Sequence, residues 1–166
     1  MKEKVDDLNS SIQPAPNLIV SSNHEGEDNA LAVAYACNCS FDPPMVMVGI
    51  VPSRYSYHMV KESGEFVVNL VNQDLEKEFN YLGSNSGRDE NKLKKLDLNY
   101  RKGDKVEAPI LLDFPVNIEC EVVDSIKTGS HEMFVGKVKC IHANKDLISE
   151  NEKKEKVIDY SKIDLL

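Results

Sequence analysis

The chain lacks the signatures that would make its function easy to read. No apolar run approaches the ~18 residues of a membrane-spanning helix. The stretch 1–11 is charged and polar, without the apolar centre of a signal peptide, so a cytoplasmic location is expected. There is no G-x-x-x-x-G-K, which excludes a P-loop, and no G-x-G-x-x-G, which excludes a Rossmann nucleotide site as the main reading. His24, His58, His131 and His142 show no H-x-x-x-H spacing, and Cys37-Asn38-Cys39 is C-x-C, not C-x-x-C. No metal site is therefore expected. Positive charge is also scarce. Twenty Lys and Arg against 28 Asp and Glu leave a net charge of −8, which argues against nucleic acid or an anionic membrane as partner. A locally basic anion pocket remains compatible with that total.

What is present suits an ordinary globular domain of 166 residues. A chain of this size should bury about 70% of its unfolded surface, enough for a core without disulfides. The patterns predict strands over 17–22 and 29–35, with a polar hairpin connection containing Gly26 between them. Residues 36–44 read as an irregular loop ended by Pro43-Pro44. Residues 45–51 read as a strand buried on both faces, and 66–71 as another. Helices are expected over 54–62 with Ser53 as N-cap, over 73–82 with Gly83 at its end, and over 90–96. Residues 97–109 read as a surface excursion. In 116–122, Val116, Ile118, Cys120 and Val122 alternate with Asn117, Glu119 and Glu121, so one face should be apolar and the other solvated. A last strand is expected over 134–143. At least six strands with only short helices point to a closed antiparallel barrel.

Three local features have chemical potential. Pro52-Ser53-Arg54-Tyr55-Ser56 joins a strand to a helix start, where free N–H groups, a guanidinium and a hydroxyl could hold phosphate. An ordinary helix start with a surface Arg fits the same residues. Ala30, Ala32 and Ala34 alternate along one strand. That arrangement admits a flat ligand, and it equally suits tight packing. His131 follows the Gly129-Ser130 turn, where a histidine on its own reads as a surface residue.

Several segments taken together resemble the flavin reductase-like family, and within it the flavoredoxin-type members. They are Asn29-Ala30-Leu31-Ala32-Val33-Ala34-Tyr35, Pro43-Pro44-Met45-Val46, Arg54-Tyr55-Ser56-Tyr57, and Ser63-Gly64-Glu65-Phe66-Val67-Val68-Asn69-Leu70. They continue with Ser86-Gly87-Arg88 followed by Lys92, then Ala108-Pro109-Ile110, Glu119-Cys120 and Gly129-Ser130-His131. The resemblance implies an FMN-binding split β-barrel, mainly β with short peripheral helices, working as a homodimer. It implies an oxidoreductase that passes electrons from NAD(P)H through flavin to a flavin or protein acceptor. The alternative it carries is an FMN-binding electron carrier without its own nicotinamide site. By the same resemblance, Arg54 and Ser56 are the phosphate-side pair. Asn29, Tyr35 (in place of the family's usual Trp), Ala36, Cys37, Asn38 and Lys92 are further flavin contacts. His131 is a flavin contact and the catalytic residue. Ala32 departs from the family's Thr and removes one hydroxyl.

Overall fold

The computed structural model describes residues 1–9 and 11–166. Strands β1 (Leu18–His24) and β2 (Glu27–Val33) form a hairpin in which His24 pairs with Glu27. The two turn residues, Glu25 and Gly26, have φ of 50° and 82°. Two positive φ values in a two-residue turn match the twist of the flanking strands, and glycine takes the second without steric penalty.

The main sheet continues with β3 (Ala36–Ser40), β4 (Met45–Ile50), β5 (Glu65–Leu70), β8 (Val116–Lys127) and β9 (Glu132–Ala143). It has seven strands, all antiparallel, in the order β2-β1-β5-β8-β9-β4-β3. Two small ribbons flank it. One pairs β6 (Tyr100–Lys102) with β7 (Pro109–Leu111), and the other pairs β10 (Ile148–Glu150) with β11 (Lys156–Ile158). Helices α1 (Tyr55–Ser63), α2 (Glu76–Ser84) and α3 (Lys92–Lys95) are peripheral. Among the described residues no helix is long and apolar enough to cross a membrane.

The expected closed split β-barrel is not what forms. The fold is mainly β with peripheral helices, but the sheet is open and ends at β2 and β3, which are not hydrogen-bonded to each other. The cause is local. Only Ala34 and Tyr35 separate β2 from β3, and the Tyr35 carbonyl accepts from the Gly49 N–H of β4 at 2.7 Å, which directs the chain onto β4. Strand β2 packs instead against α2 and α3.

The core has two main parts. Val20, Leu31, Val48, Ile50, Val60, Phe66, Cys120 and Phe134 cluster inside the curved sheet. Ile19, Ala30, Val71, Leu82, Leu93, Leu111 and Phe114 cluster outside it, under α2, α3 and β7. Neighbours such as Ile19 and Val20 point to opposite faces, and both are fully buried. A continuous apolar run is the sequence mark of such a strand.

Several expectations change on this frame. Residues 36–40 are a strand, and α1 begins at Tyr55 with Arg54 as N-cap instead of Ser53. The 97–109 segment lies at the surface with most of its charged side chains exposed, as expected, but it is packed against the sheet. It forms β6, leads into β7 and covers the outer face of β5, where Val67, Val106, Ala108 and Ile110 pack together. Glu121, on the side of β8 expected to be solvated, is exposed as expected, whereas that cover buries Asn117 and Glu119 on the same side. Both are satisfied there. Asn117 Nδ2 donates to Asn69 Oδ1 and the Leu111 carbonyl, while Glu119 accepts the N–H groups of Asp104, Lys105 and Val106.

Gly136 is the tightest point of the inner core. A Cβ there would lie 2.4 Å from Phe66 Cζ and 2.8 Å from Cys120 Cβ. Gly136→Ala should lower the unfolding free energy by about 1–3 kcal/mol, the usual cost of overpacking. Gly129→Ala, with nothing within 4 Å of the added methyl, should be close to neutral. Urea denaturation of the two variants beside the parent checks the contrast.

Candidate functional site

A cleft of about 300 Å³ opens where β4 ends and α1 begins. Asn29 and Ala32 of β2 form one wall, Ser53 to Ser56 a second, and the end of α2 with residues 85–88 and Lys92 a third. Four of the expected site residues, Asn29, Arg54, Ser56 and Lys92, are thereby brought together.

The α1 start is open. Arg54 is in extended conformation (φ −73°, ψ 142°), no side chain caps the helix, and its first turn holds no acidic residue. The Tyr57 N–H donates to the Arg54 carbonyl at 3.0 Å, which leaves the N–H groups of Tyr55 and Ser56 and the positive end of the helix dipole to an anion. Ser56 is buried, and its Oγ accepts from Asn29 Nδ2 at 2.8 Å, which leaves its own O–H to donate. Arg54 is solvent-exposed at the rim.

Lys92 is 98% buried, being 2% exposed. Its ammonium donates to the carbonyls of Leu82 at 2.9 Å and Asn85 at 3.0 Å. Burial, with the Arg54 charge added, pushes its pKa down to about 8 against the opposing pull of Glu90. Two of three ammonium protons hold the α2–α3 turn, and one remains for a ligand. The turn itself sits close to β2. A Cβ on Gly87 would meet Asn29 Oδ1 at 2.6 Å and Tyr55 Cδ1 at 2.7 Å, and one on Gly83 would meet Ala32 Cβ at 2.9 Å. The small residues of β2 therefore serve helix packing at Ala30 and Ala32.

Arg88 adds a third cation and was not among the expected contacts. Its guanidinium lies over the Tyr55 ring, 5.6 Å from the centroid, and the Tyr55 hydroxyl donates to Glu27 at 2.9 Å. The sequence signal for it is the Ser86-Gly87-Arg88 element that precedes Lys92.

The other expected residues lie outside the cleft wall. Tyr35 and His131 meet edge to face, with ring centroids 4.6 Å apart. His131 directly precedes Glu132, which pairs with Ile50, and the next residue of that strand end, Val51, lines the cleft. Ser130 Oγ sits 2.8 Å from His131 Nδ1. The neighbouring Glu132 is buried and ties β9 to α1, accepting from Tyr57, from Ser125 Oγ at 2.7 Å and from Lys61 at 3.1 Å. These bonds, the Tyr57 one foremost, hold its carboxyl down near 2. Ala36, Cys37 and Asn38 lie on edge strand β3, paired with Val48, Met47 and Val46, and none of them lines the cleft. The loop expected at the edge of a flavin ring is instead a strand.

Comparison with known proteins agrees with this architecture. Residues 10–157 match the family described as flavin reductase like domain. An uncharacterized protein of Aeropyrum pernix is 32% identical over 136 residues, covering 81% of this chain but 52% of its own, so this chain spans about half its length. The FMN reductase (NADH) RutF of Acinetobacter baylyi is 27% identical, over 80% of this chain and 68% of its own. The crystal structure of flavoredoxin from Methanosarcina acetivorans superimposes with a TM-score of 0.87 at 26% identity, covering all of this chain (100%) and 85% of its own.

A buried lysine whose folded pKa is depressed leaves a pH signature. Between the folded value of about 8 and the ordinary 10.5, the unfolded chain binds more protons at this position. Its contribution to stability should therefore rise with pH across that window. The unfolding free energy of the parent, measured from pH 7 to 10.5 by urea titration, should show this rise relative to Lys92→Met. Parallel pH profiles would place the lysine in water.

Proposed function

The chain belongs to the flavin reductase-like family, and from that premise we propose that it is an FMN-binding electron carrier of the flavoredoxin type. One observation carries this reading. On a protein of net charge −8, Arg54, Arg88, Lys92 and an uncapped helix start converge on one cleft. Such a concentration of donors suits a phosphate dianion.

In this reading Arg54 and the N–H groups of Tyr55 and Ser56 at the start of α1 bind the FMN phosphate. Ser56 donates its hydroxyl proton to it, oriented by the bond from Asn29. Lys92 gives its third N–H and Arg88 closes the outer side. Tyr35 and His131 are the ring-side residues, together with Asn29 and the backbone of Ala36, Cys37 and Asn38. Bound FMN supplies reversible acceptance and release of electrons, so no side-chain nucleophile is required. The exposed β3 edge is the proposed place for a second subunit of a homodimer, and a redox protein is the proposed acceptor.

A second reading adds NAD(P)H as direct donor, with His131 seating the nicotinamide. Its support is the likeness to an FMN reductase (NADH). The visible spectrum after gel filtration tests FMN binding, and anaerobic mixing with NADH or NADPH separates the two readings. The carrier should retain its flavin and stay oxidised. Fast reduction, slowed in His131→Ala at full FMN occupancy, would favour the second.

Charge-assisted hydrogen bonds are worth about 1.5–3 kcal/mol. Arg54→Ala should thus weaken FMN about ten-fold or more and riboflavin far less, and equal losses would remove the phosphate assignment. FMN affinity should also fall as pH rises past about 8, where Lys92 loses its proton, and this step should vanish in Lys92→Met. Fluorescence titration reads both.

A further inference from the structure

Cys140 and His142 stand two residues apart on β9 and so share one face of the strand. Glu119 of β8 is the cross-strand partner of Cys140, and Asp104 reaches the same place from the β6–β7 connection. His142 Nε2 lies 2.5 Å from Glu119 Oε1, 3.5 Å from Cys140 Sγ and 3.8 Å from Asp104 Oδ2. One ligand atom from each of the four residues falls within 4.8 Å of all the others. We propose that Asp104, Glu119, Cys140 and His142 form a structural binding site for one divalent cation of the zinc class.

Geometry and chemistry agree. Metal–ligand bonds of about 2.0–2.3 Å in a tetrahedron separate ligand atoms by about 3.3–3.8 Å. The His142–Cys140 and His142–Asp104 distances already have that length, and the His142–Glu119 pair must open to reach it. The remaining donor capacity of the carboxylates is held by a second layer. Glu119 Oε2 accepts from Lys105 N and Val106 N, Oε1 from Asp104 N, and Asp104 Oδ1 pairs with Arg101 at 2.7 Å. Such outer contacts orient ligands. A thiolate and an imidazole favour zinc-class ions over Mg²⁺ or Ca²⁺. Burial first, then the charges of Glu119 and Asp104, raise the Cys140 thiol pKa without metal. A dication reverses the electrostatic part, and the thiol proton leaves to solvent. The imidazole carries its proton on Nδ1 and binds through Nε2. None of the four residues lines the anion cleft. The ion would clasp the segment 104–106 onto the β8–β9 ribbon, over the cluster of Val67, Val106 and Ala108.

The test uses the full chain carrying Cys37→Ser and Cys39→Ser, so that the exposed C-x-C pair cannot bind metal, after dialysis against a chelator. Calorimetry with Zn²⁺ should give one ion per chain, and Zn²⁺ should raise the unfolding midpoint. Co²⁺ should give a thiolate-to-cobalt charge-transfer band, read as a difference from the metal-free sample. Loss of an outer contact alone costs ten-fold or more, so Cys140→Ser and His142→Gln should each weaken Zn²⁺ by at least about ten-fold. Cys140→Ser should also abolish the band. Circular dichroism of the metal-free variants, matching the metal-free parent, establishes that they fold. No stoichiometric Zn²⁺ binding by the parent would overturn the proposal, as would a cobalt band that survives in Cys140→Ser.

Discussion

A buried ammonium group holds the cleft together. Lys92 ties the carbonyls of Leu82 and Asn85, which closes the turn between α2 and α3 onto β2. Only glycine at 83 and 87 lets that turn come so near Ala32, Asn29 and Tyr55. With the turn in place, Arg88 lies over Tyr55 and faces the same opening as Arg54. Burial of the lysine charge is unfavourable in the unliganded protein, as its depressed pKa records. An anion in the cleft relieves that cost. Stability given up at one position thus becomes binding preference for a charge of the opposite sign, the pattern expected where local rules are broken at a site.

The sheet can support such a site because its central strands are packed on both faces. Inside the curve the contacts are apolar, but outside it a polar network fastens β7 to the sheet. Asn69 Nδ2 reaches the Ile19 carbonyl and Ser21 Oγ, Asn69 Oδ1 accepts from Asn117 Nδ2, and Ser21 Oγ donates to the Pro109 carbonyl at 2.6 Å. Each of these three side chains finds a partner in another strand. The network therefore specifies register as well as stability. Glu119 does the same for the segment 104–106. Edge strand β3 lacks this protection. Its Cys37, Asn38 and Cys39 are exposed, and Phe41 beyond it is almost fully so.

The long strands were legible because their apolar patterns are local. Leu18-Ile19-Val20, the run from Met45 and the run from Phe66 all became core strands, whereas Gly83, expected to end a helix, lies inside α2, which runs to Ser84. Of the site, the clustering of Asn29, Arg54, Ser56 and Lys92 was legible through resemblance to a family, although no spacing rule links positions so far apart. Ala36-Cys37-Asn38-Cys39-Ser40 has the pattern of a loop because it has no apolar face, and an edge strand needs none. The proposed Cys140–His142 pair fits no helical or zinc-knuckle spacing, because its partners lie across a strand pair and on a distant loop.

Local chemistry in the sequence alone determined where the long core strands and the main helices form and where the β1–β2 hairpin turns. These depend on periodicity, capping and backbone freedom within a few residues. Tertiary structure alone decided that the sheet stays open, that Asn117 and Glu119 of β8 are buried, and that Arg88 joins the cleft. Closure depends on whether β2 finds β3 or the helices as its neighbour, and burial depends on where the 97–109 segment lies down. Both are contests between surfaces far apart in the chain, settled by packing and hydrogen-bond satisfaction that no local pattern encodes.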